Sequence, residues 1–266
     1  MNVTLTAITM YPVKSIRGIS LEAADVEPEG LAGDRRWVIV DDTGTFISQR
    51  THPRLATVHG RVADAGLVLA APGRPPLPIE PGDGDGTRLQ VTVWKDVVDA
   101  RGGYDRADDW LSTFLDRPCR LAFMDDRCRR PLRQAAGSGE HVVSFADGYP
   151  CLLIGDASLT DLNGRLERPL PMNRFRPNLV VTGGGAFAED RWRRLAIGGA
   201  EFAVAGPCAR CNVTTVDQAT GTAGGPEPLK TLATYRQGPR GVEFGVNLRV
   251  ERPGRIGTGD RVTVLD

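Results

Sequence analysis

The sequence predicts a mainly β (α+β) fold, a barrel-like β structure with a few covering helices, and three observations carry that prediction. Glycine (32) and proline (19) are both abundant for 266 residues, above the usual ~7% and ~5%, and the turns they imply accompany short strands. Segments with period-two or continuous apolar patterning outnumber those with helical spacing. Neither a twenty-to-fifty-residue repeat nor a heptad is present, which excludes solenoids and coiled coils. A chain of this length, 41% hydrophobic and 25% charged, buries a core without disulfides or a metal.

Val3 to Thr9 alternates apolar and polar residues and ends at Tyr11-Pro12, where the missing amide stops central pairing, so it reads as a strand. Arg36 to Val40 is a second, closed by a hairpin turn at Asp41-Asp42-Thr43-Gly44, with Phe46-Ile47-Ser48 returning. Leu55 to Leu69 predicts further short strands, and 70–87 predicts mostly loop because Pro72, Pro75 and Pro76 bar a central strand. Within that loop, Gly82-Asp83-Gly84-Asp85-Gly86 lacks the closing bidentate Glu of a calcium loop and reads instead as a hairpin tip. Val91 to Trp94 is a strand, and Arg106 to Phe114 sets Ala107, Trp110, Leu111 and Phe114 on one helix face. Cys119 to Met124 reads as a short strand and Asp125 to Gly139 as a polar loop, which puts the boundary between two parts, 1–120 and 121–266, near residue 120.

In the second part, Cys151 to Ile154 is an apolar strand, followed by a helix with Asp156 as its cap and Leu159, Leu162 and Leu166 on the buried side. Leu179 to Thr182 is a strand ending at Gly183-Gly184-Gly185, and further strands are expected at 201–205, 212–216, 244–250 and 261–265.

Charge narrows the function classes. Lys+Arg (33) balances Asp+Glu (33), so no global basic field marks a nucleic-acid polymer as the partner, although a balanced total still allows a local basic pocket. The five cysteines, Cys119, Cys128, Cys151, Cys208 and Cys211, form no disulfide framework and suit a reducing compartment. The amino terminus lacks the charged start and apolar run of a signal peptide, and nothing approaches the ~20 apolar residues of a membrane helix, so a cytoplasmic protein without a membrane anchor is expected.

Several chemical signatures are missing: the Walker loop, a strand-to-helix Gly-x-Gly-x-x-Gly and a His-Glu-x-x-His helix. Three histidines, His52, His59 and His141, give a metal cluster or a serine triad little to draw on. The densest feature is Cys208-Ala209-Arg210-Cys211-Asn212-Val213-Thr214-Thr215-Val216-Asp217. Half a zinc site lacks its other half, and a thioredoxin-type pair should open a helix, whereas a β-branched run follows. An arginine between two cysteines favours thiolate, the form that ligates a soft metal. Lys14-Ser15, Arg35 and Arg174-Phe175-Arg176-Pro177-Asn178 lie at strand ends. Each basic residue alone is commonly a surface charge; together a point-charge Lys and forked Arg donors suit an anionic, phosphate-bearing small molecule.

Four runs in register, Tyr11 to Gly18, Gly33 to Trp37, Phe175 to Val181 and Cys208 to Asp217, with Phe244 to Leu248 and Pro253 to Asp260 behind them, resemble MOSC-domain proteins. The subgroup is the one with an added MOSC N-terminal β-barrel domain, which takes in the mitochondrial amidoxime reducing component and bacterial N-hydroxylaminopurine reductases. The resemblance implies a MOSC β-barrel behind an N-terminal β domain, and a molybdenum cofactor (molybdopterin) with Cys211 as the protein's metal ligand and catalytic residue. It implies cofactor contacts at Lys14, Ser15, Arg35, Gly148, Tyr149, Arg176, Asn178, Ala209 and Asn247, with Gly148 and Ala209 acting through backbone amides and Cys208 near the metal without ligating it. The activity implied is reduction of N-hydroxylated small molecules, amidoximes, hydroxylamines and N-hydroxylated bases, to amines in a detoxifying role. The alternative is a module that carries the cofactor or transfers sulfur, and a third is an anion-binding β protein with packing cysteines. A membrane anchor and an iron-sulfur domain, each found in some relatives, are not expected here, so electrons would come from a separate ferredoxin, flavodoxin or reductase. The arginine-rich Arg127 to Arg133 loop is a candidate dock for it. A second cysteine of the eukaryotic relatives falls at Gly183-Gly184-Gly185, so metal binding does not require it.

Overall fold

A computed structural model describes residues 2–63, 66–132 and 141–265. The first strand, β1 (Val3–Met10), buries Val3, Leu5, Ile8 and Met10. A bulge between Leu5 and Ala7 shifts the alternation by one residue, so both halves of the strand keep their apolar side inward. Short strands β2 (Ile19–Leu21), β3 (Ala23–Glu27) and β4 (Gly30–Leu31) follow, then β5 (Trp37–Val40), whose four residues are all buried. Its continuous apolar run has a cause: Trp37 and Ile39 enter one core while Val38 and Val40 enter another. Phe46 meets Val40 only as an isolated antiparallel bridge, so the expected return strand is a single contact.

Residues 53–57 form a 3-10 turn where strand was expected, followed by β6 (His59–Ala63) and β7 (Gly66–Ala71). The expectation of loop over 70–87 is corrected: β8 (Arg74–Ile79) pairs with β7. Its prolines are tolerated because β8 is the edge of a three-stranded sheet, where the missing amides face no partner. The glycine-aspartate stretch is no hairpin tip; it begins within a 3-10 turn at 81–83 and links β8 to β9 (Arg88–Val93) of another sheet. The strand β10 (Asp96–Arg101), the helix α1 (Asp105–Leu115) and β11 (Arg120–Phe123) complete this part. Ala107, Trp110, Leu111 and Phe114 of α1 are buried as the spacing predicts. The polar loop expected from 125 to 139 is described only to residue 132; its remainder, like Asp64 and Ala65, lies outside the described residues.

Beyond it come β12 (Cys151–Gly155) and α2 (Asp156–Asn163). Gly155, not Asp156, occupies the cap position of α2; the Asp156 carboxylate instead accepts the Thr182 hydroxyl at 2.6 Å. The remaining elements are β13 (Leu179–Thr182), β14 (Arg194–Ile197), β15 (Ala200–Ala209), α3 (Leu229–Ala233), β16 (Gln237–Gly238), β17 (Gly241–Arg252), β18 (Gly254–Gly257) and β19 (Arg261–Val264). The strand expected at 212–216 is a 3-10 helix, 212–215, because the threonine hydroxyls bond back three residues and Arg174 claims the carbonyls a sheet would use.

Seven strands close a barrel in the order β12, β13, β1, β19, β14, β15, β17 and back to β12. Only the β12–β13 pair is parallel among them. Leu5, Ile8, Leu153, Leu195, Phe202 and Leu248 fill the interior, as a barrel this narrow requires. The barrel built largely from 121–266 needs β1 between β13 and β19, since without it two edges stay unpaired. No helix of the described residues is long and apolar enough to cross a membrane.

Candidate functional site

The chain leaves the barrel at Met10 and crosses to the first part in company with residues 35–37. The Arg35 and Trp37 amides donate to the Tyr11 and Pro12 carbonyls, and the Lys14 amide donates to the Trp37 carbonyl. This crossing carries Lys14, Ser15 and Arg35 to the mouth of a cleft between the two parts. Loops ahead of β12 and β13 add Gly148 with Tyr149, and Arg176 with Asn178; β17 adds Asn247, and the chain just past β15 adds Cys211. All of these line an inner basin of about 130 Å³. Ala209 lies apart from them, on the wall of an adjoining outer basin of about 500 Å³. Cys208, Arg210 and Cys211 belong to both basins. Gly183-Gly184-Gly185 is not among the lining residues.

Backbone strain concentrates here. Ser15, Arg35 and Arg176 adopt left-handed φ angles of 72°, 50° and 55°. Each costs of order 1 kcal/mol or more for a residue with a Cβ and persists only where surroundings enforce it, which marks a binding site more than a packing one. Asn178 enforces part of it. Its Oδ1 accepts from the Leu152 amide and from Arg35 Nη1, and its Nδ2 donates to the Thr9 carbonyl and to Asp34 Oδ1. With its amide thus engaged, Asn178 acts on the cleft through Arg35, which also pairs with Asp34. The Arg35 and Arg176 guanidinium carbons lie 4.4 and 4.2 Å from the centre of the Tyr11 ring, and the Tyr11 hydroxyl donates to the Pro177 carbonyl.

Lys14 is 5% exposed. Its ammonium donates to the Phe145 carbonyl at 2.8 Å and to Asp147 Oδ1 at 2.6 Å. Burial pulls its pKa down to about 8, against the opposing pull of Asp147. Burial also takes Arg176 down to about 10. Asp147 itself stays below the usual carboxylate range: partial burial would raise it, but Lys14, Arg50 and the Trp94 indole N–H hold it ionised. Sequence reasoning missed Arg50, Asp147 and Trp94 as site residues, since each is recognisable only by what folds against it. Five cationic side chains, Lys14, Arg35, Arg50, Arg176 and Arg210, face the inner basin against one carboxylate, Asp147. That imbalance makes an anion trap.

The two cysteines are free thiols, both partly exposed. Arg210 donates to Cys208 Sγ at 3.0 Å and to the Phe175 carbonyl, so the arginine between the pair serves Cys208 rather than Cys211. Its Nε is buried with no partner among the described residues, an unsatisfied donor at the basin wall. Cys211 caps the 3-10 helix 212–215, which Arg174 clamps by donating to the Thr214 and Thr215 carbonyls at 2.9 and 2.8 Å. The loop after this helix is tied to the crossing segment by a buried amide pair. Gln49 and Gln218 bond each other at 2.9 and 3.3 Å, and Gln49 also donates to the Ser15 carbonyl. Cys151 forms a third thiol in the wall, but burial pushes it up to about 12 and leaves it inert.

The Arg127 to Arg133 loop is corrected in one respect. Arg130 is buried and engages Asp96 and the carbonyls of Ser144, Ala146 and Asp147, so it braces the Gly148 loop instead of facing a partner. Arg127 and Arg129 are exposed, and Arg133 lies outside the described residues.

No group of three or more His, Cys, Asp or Glu side chains able to hold a metal occurs among the described residues. A metal at Cys211 would have to arrive with ligands of its own. The MOSC N-terminal beta barrel domain matches residues 2–118 and the MOSC domain matches residues 140–263. Mitochondrial amidoxime-reducing component 1 of Mus musculus is 35% identical over 280 residues, covering 98% of this chain and 82% of that protein. Mitochondrial amidoxime reducing component 2 of Bos taurus is 32% identical over 97% of this chain and 82% of its own length. Component 1 of Homo sapiens is 32% identical over 98% and 83%.

Proposed function

The chain belongs to the MOSC family in which an N-terminal MOSC β-barrel domain precedes the MOSC domain, the family of the amidoxime-reducing components, and from that premise we propose that it is a molybdenum cofactor-dependent oxidoreductase reducing N-hydroxylated compounds to amines. The observation that carries this reading is a pair of partly exposed thiols, Cys208 and Cys211, opening onto a basin with five cations and one carboxylate.

The residues suit such a cofactor. A phosphate-bearing pterin needs fixed positive charge and N–H donors, which Lys14, Arg35 and Arg176 provide, and it needs a free donor such as Arg210 Nε. The Gly148 position has open space where a side chain would start, which lets a ligand approach the backbone. In this reading Cys211 ligates the metal, Lys14, Ser15, Arg35 and Arg176 hold the phosphate and pterin, and Asn178 orients Arg35. Gly148 and Ala209 contribute backbone amides, and Tyr149 and Asn247 line the pterin's path. When bound, the cofactor supplies two-electron redox chemistry and an acceptor for the oxygen of an N-hydroxyl group. The protein's share is to present the Cys211 sulfur to the metal, to hold the anion, and to leave the outer basin open for substrate. Electrons are delivered by a separate protein. The free thiols suit a reducing compartment, the cytoplasm in this reading.

The test is molybdenum content of protein expressed with ample molybdate, together with benzamidoxime turnover driven by reduced viologen. Near one metal per chain with turnover is the expected result. Metal without turnover would replace the reductase with a cofactor carrier, and no metal under full cofactor supply would sink both.

A further inference from the structure

The hairpin β9–β10 has a two-residue turn, Trp94-Lys95, since Val93 pairs with Asp96 across it. Trp94 adopts φ 58°, a conformation that hairpins of this length reserve for Gly or Asn. A bulky aromatic there is held at a cost, and the structure holds it firmly. Its indole N–H donates to Asp147 Oδ1 at 3.2 Å, its ring centre lies 5.1 Å from that of Phe46 with the planes at 63°, and Arg50 lies 4.6 Å from the ring centre. Asp147 is also the partner of Lys14, and Phe46 receives the Lys14 ammonium at 4.9 Å, so the indole is fixed relative to the inner basin. Yet Trp94 is 50% exposed, and it lines the outer basin that Cys208 and Cys211 share. A strained π surface, half exposed beyond its contacts to Asp147, Phe46 and Arg50, thus stands on the wall of the basin that Cys208 and Cys211 line.

We propose that Trp94 is a stacking platform that selects substrates: it receives a planar aromatic or heteroaromatic group beside the N-hydroxyl function, so the site prefers such compounds over aliphatic ones with the same head group. The inference rests on the reductase reading and specifies its substrate class. One face of Trp94 already carries Arg50, so a ring laid on the remaining exposed surface extends a cation–aromatic stack.

The test compares benzamidoxime with acetamidoxime, which share a head group and differ in the ring. Dissociation constants by calorimetry and viologen-driven turnover are measured on full-length, cofactor-loaded wild type, Trp94→Gly and Trp94→Phe. Glycine suits the left-handed turn and guards against a folding artefact. Trp94→Gly should weaken benzamidoxime about tenfold and acetamidoxime less than twofold, while Trp94→Phe stays within threefold of wild type. Equal losses for both ligands, no loss for either, or a wild type that binds both alike would overturn the proposal. So would a Trp94→Gly defect seen only with a protein donor and not with viologen, since that would make the hairpin a docking tip. Ring-selective, Trp94-dependent binding in a chain that reduces neither compound would retain the platform and defeat the reductase. Turnover of both compounds indifferent to Trp94 would do the reverse.

Discussion

Asn178 Nδ2 lies 3.1 Å from Asp34 Oδ1, bonding two side chains 144 residues apart in sequence at the seam between barrel and crossing segment. Through Asp34 the contact reaches the Tyr11 amide and Arg35, and through its own Oδ1 it reaches the chain entering β12. One neutral amide thereby fixes the crossing that presents Arg35 and Lys14.

Asn178→Asp would turn those two donor contacts into repulsions, with a new carboxylate facing Asp34 and the Thr9 carbonyl. We expect a loss of about 3 kcal/mol in unfolding free energy at neutral pH. The new carboxyl's pKa is raised in the folded state, so the deficit is full above that pKa and shrinks as pH falls through it. Urea titrations at pH 7.5 and 5 read both; an equal deficit at the two values would contradict the pairing.

Arg174→Ala would strip two charge-assisted hydrogen bonds from the Thr214 and Thr215 carbonyls and leave both acceptors buried. A loss of about 3 kcal/mol follows, with the capping turn at Cys211 loosened. Arg174→Lys should recover less than half, because a point charge cannot span two carbonyls as the guanidinium fork does. Denaturant midpoints of the three proteins decide it.

Lys14 has a pKa lowered by burial to about 8, so its charge fades across the mildly alkaline range. Below pH 8 the buried ammonium is present in both folded and unfolded chains. Between 8 and 10.5 the unfolded chain binds the extra proton, so this group's contribution to stability rises with pH. Anion binding runs the other way: affinity for inorganic phosphate should fall as pH passes 8, and Lys14→Met should bind more weakly at pH 7 with a flatter profile. A wild-type profile level from pH 7 to 9.5 would remove Lys14 from the anion site.

Cys208 and Cys211 are the partly exposed thiols; Cys119, Cys128 and Cys151 are buried, and burial pushes Cys128 and Cys151 up to about 12. Brief alkylation of the native, cofactor-free protein should therefore mark Cys208 and Cys211 alone, as peptide mass spectrometry would show. Rapid labelling of Cys151 would mean that the wall of the inner basin opens.

Cys211→Ser should leave the unfolding free energy from urea titration within about 0.5 kcal/mol of wild type, since the position is partly exposed. Molybdenum content and turnover should fall to background. Full activity in that variant would take the ligand role from Cys211.

Local chemistry in the sequence determined much of this protein. The alternation of Val3 to Thr9, the helical spacing of Ala107 to Phe114 and the density of turn residues set strands, helix and a mainly β fold, because side-chain periodicity needs no distant partner. Motif chemistry together with the family resemblance singled out Lys14, Arg35, Arg176, Asn178 and Cys211, and the cleft gathers them. Only tertiary structure decided the rest. A β-branched run at 212–216 suits a strand by propensity, yet Arg174 from another loop holds it as a 3-10 turn. That β1 closes the barrel, that Asn178 works through Arg35, and that Trp94 shares Asp147 with Lys14 are contacts between residues 53 to 259 positions apart. The pattern of neighbouring residues carries no record of such pairings; they arise when the barrel closes and the crossing segment docks on it.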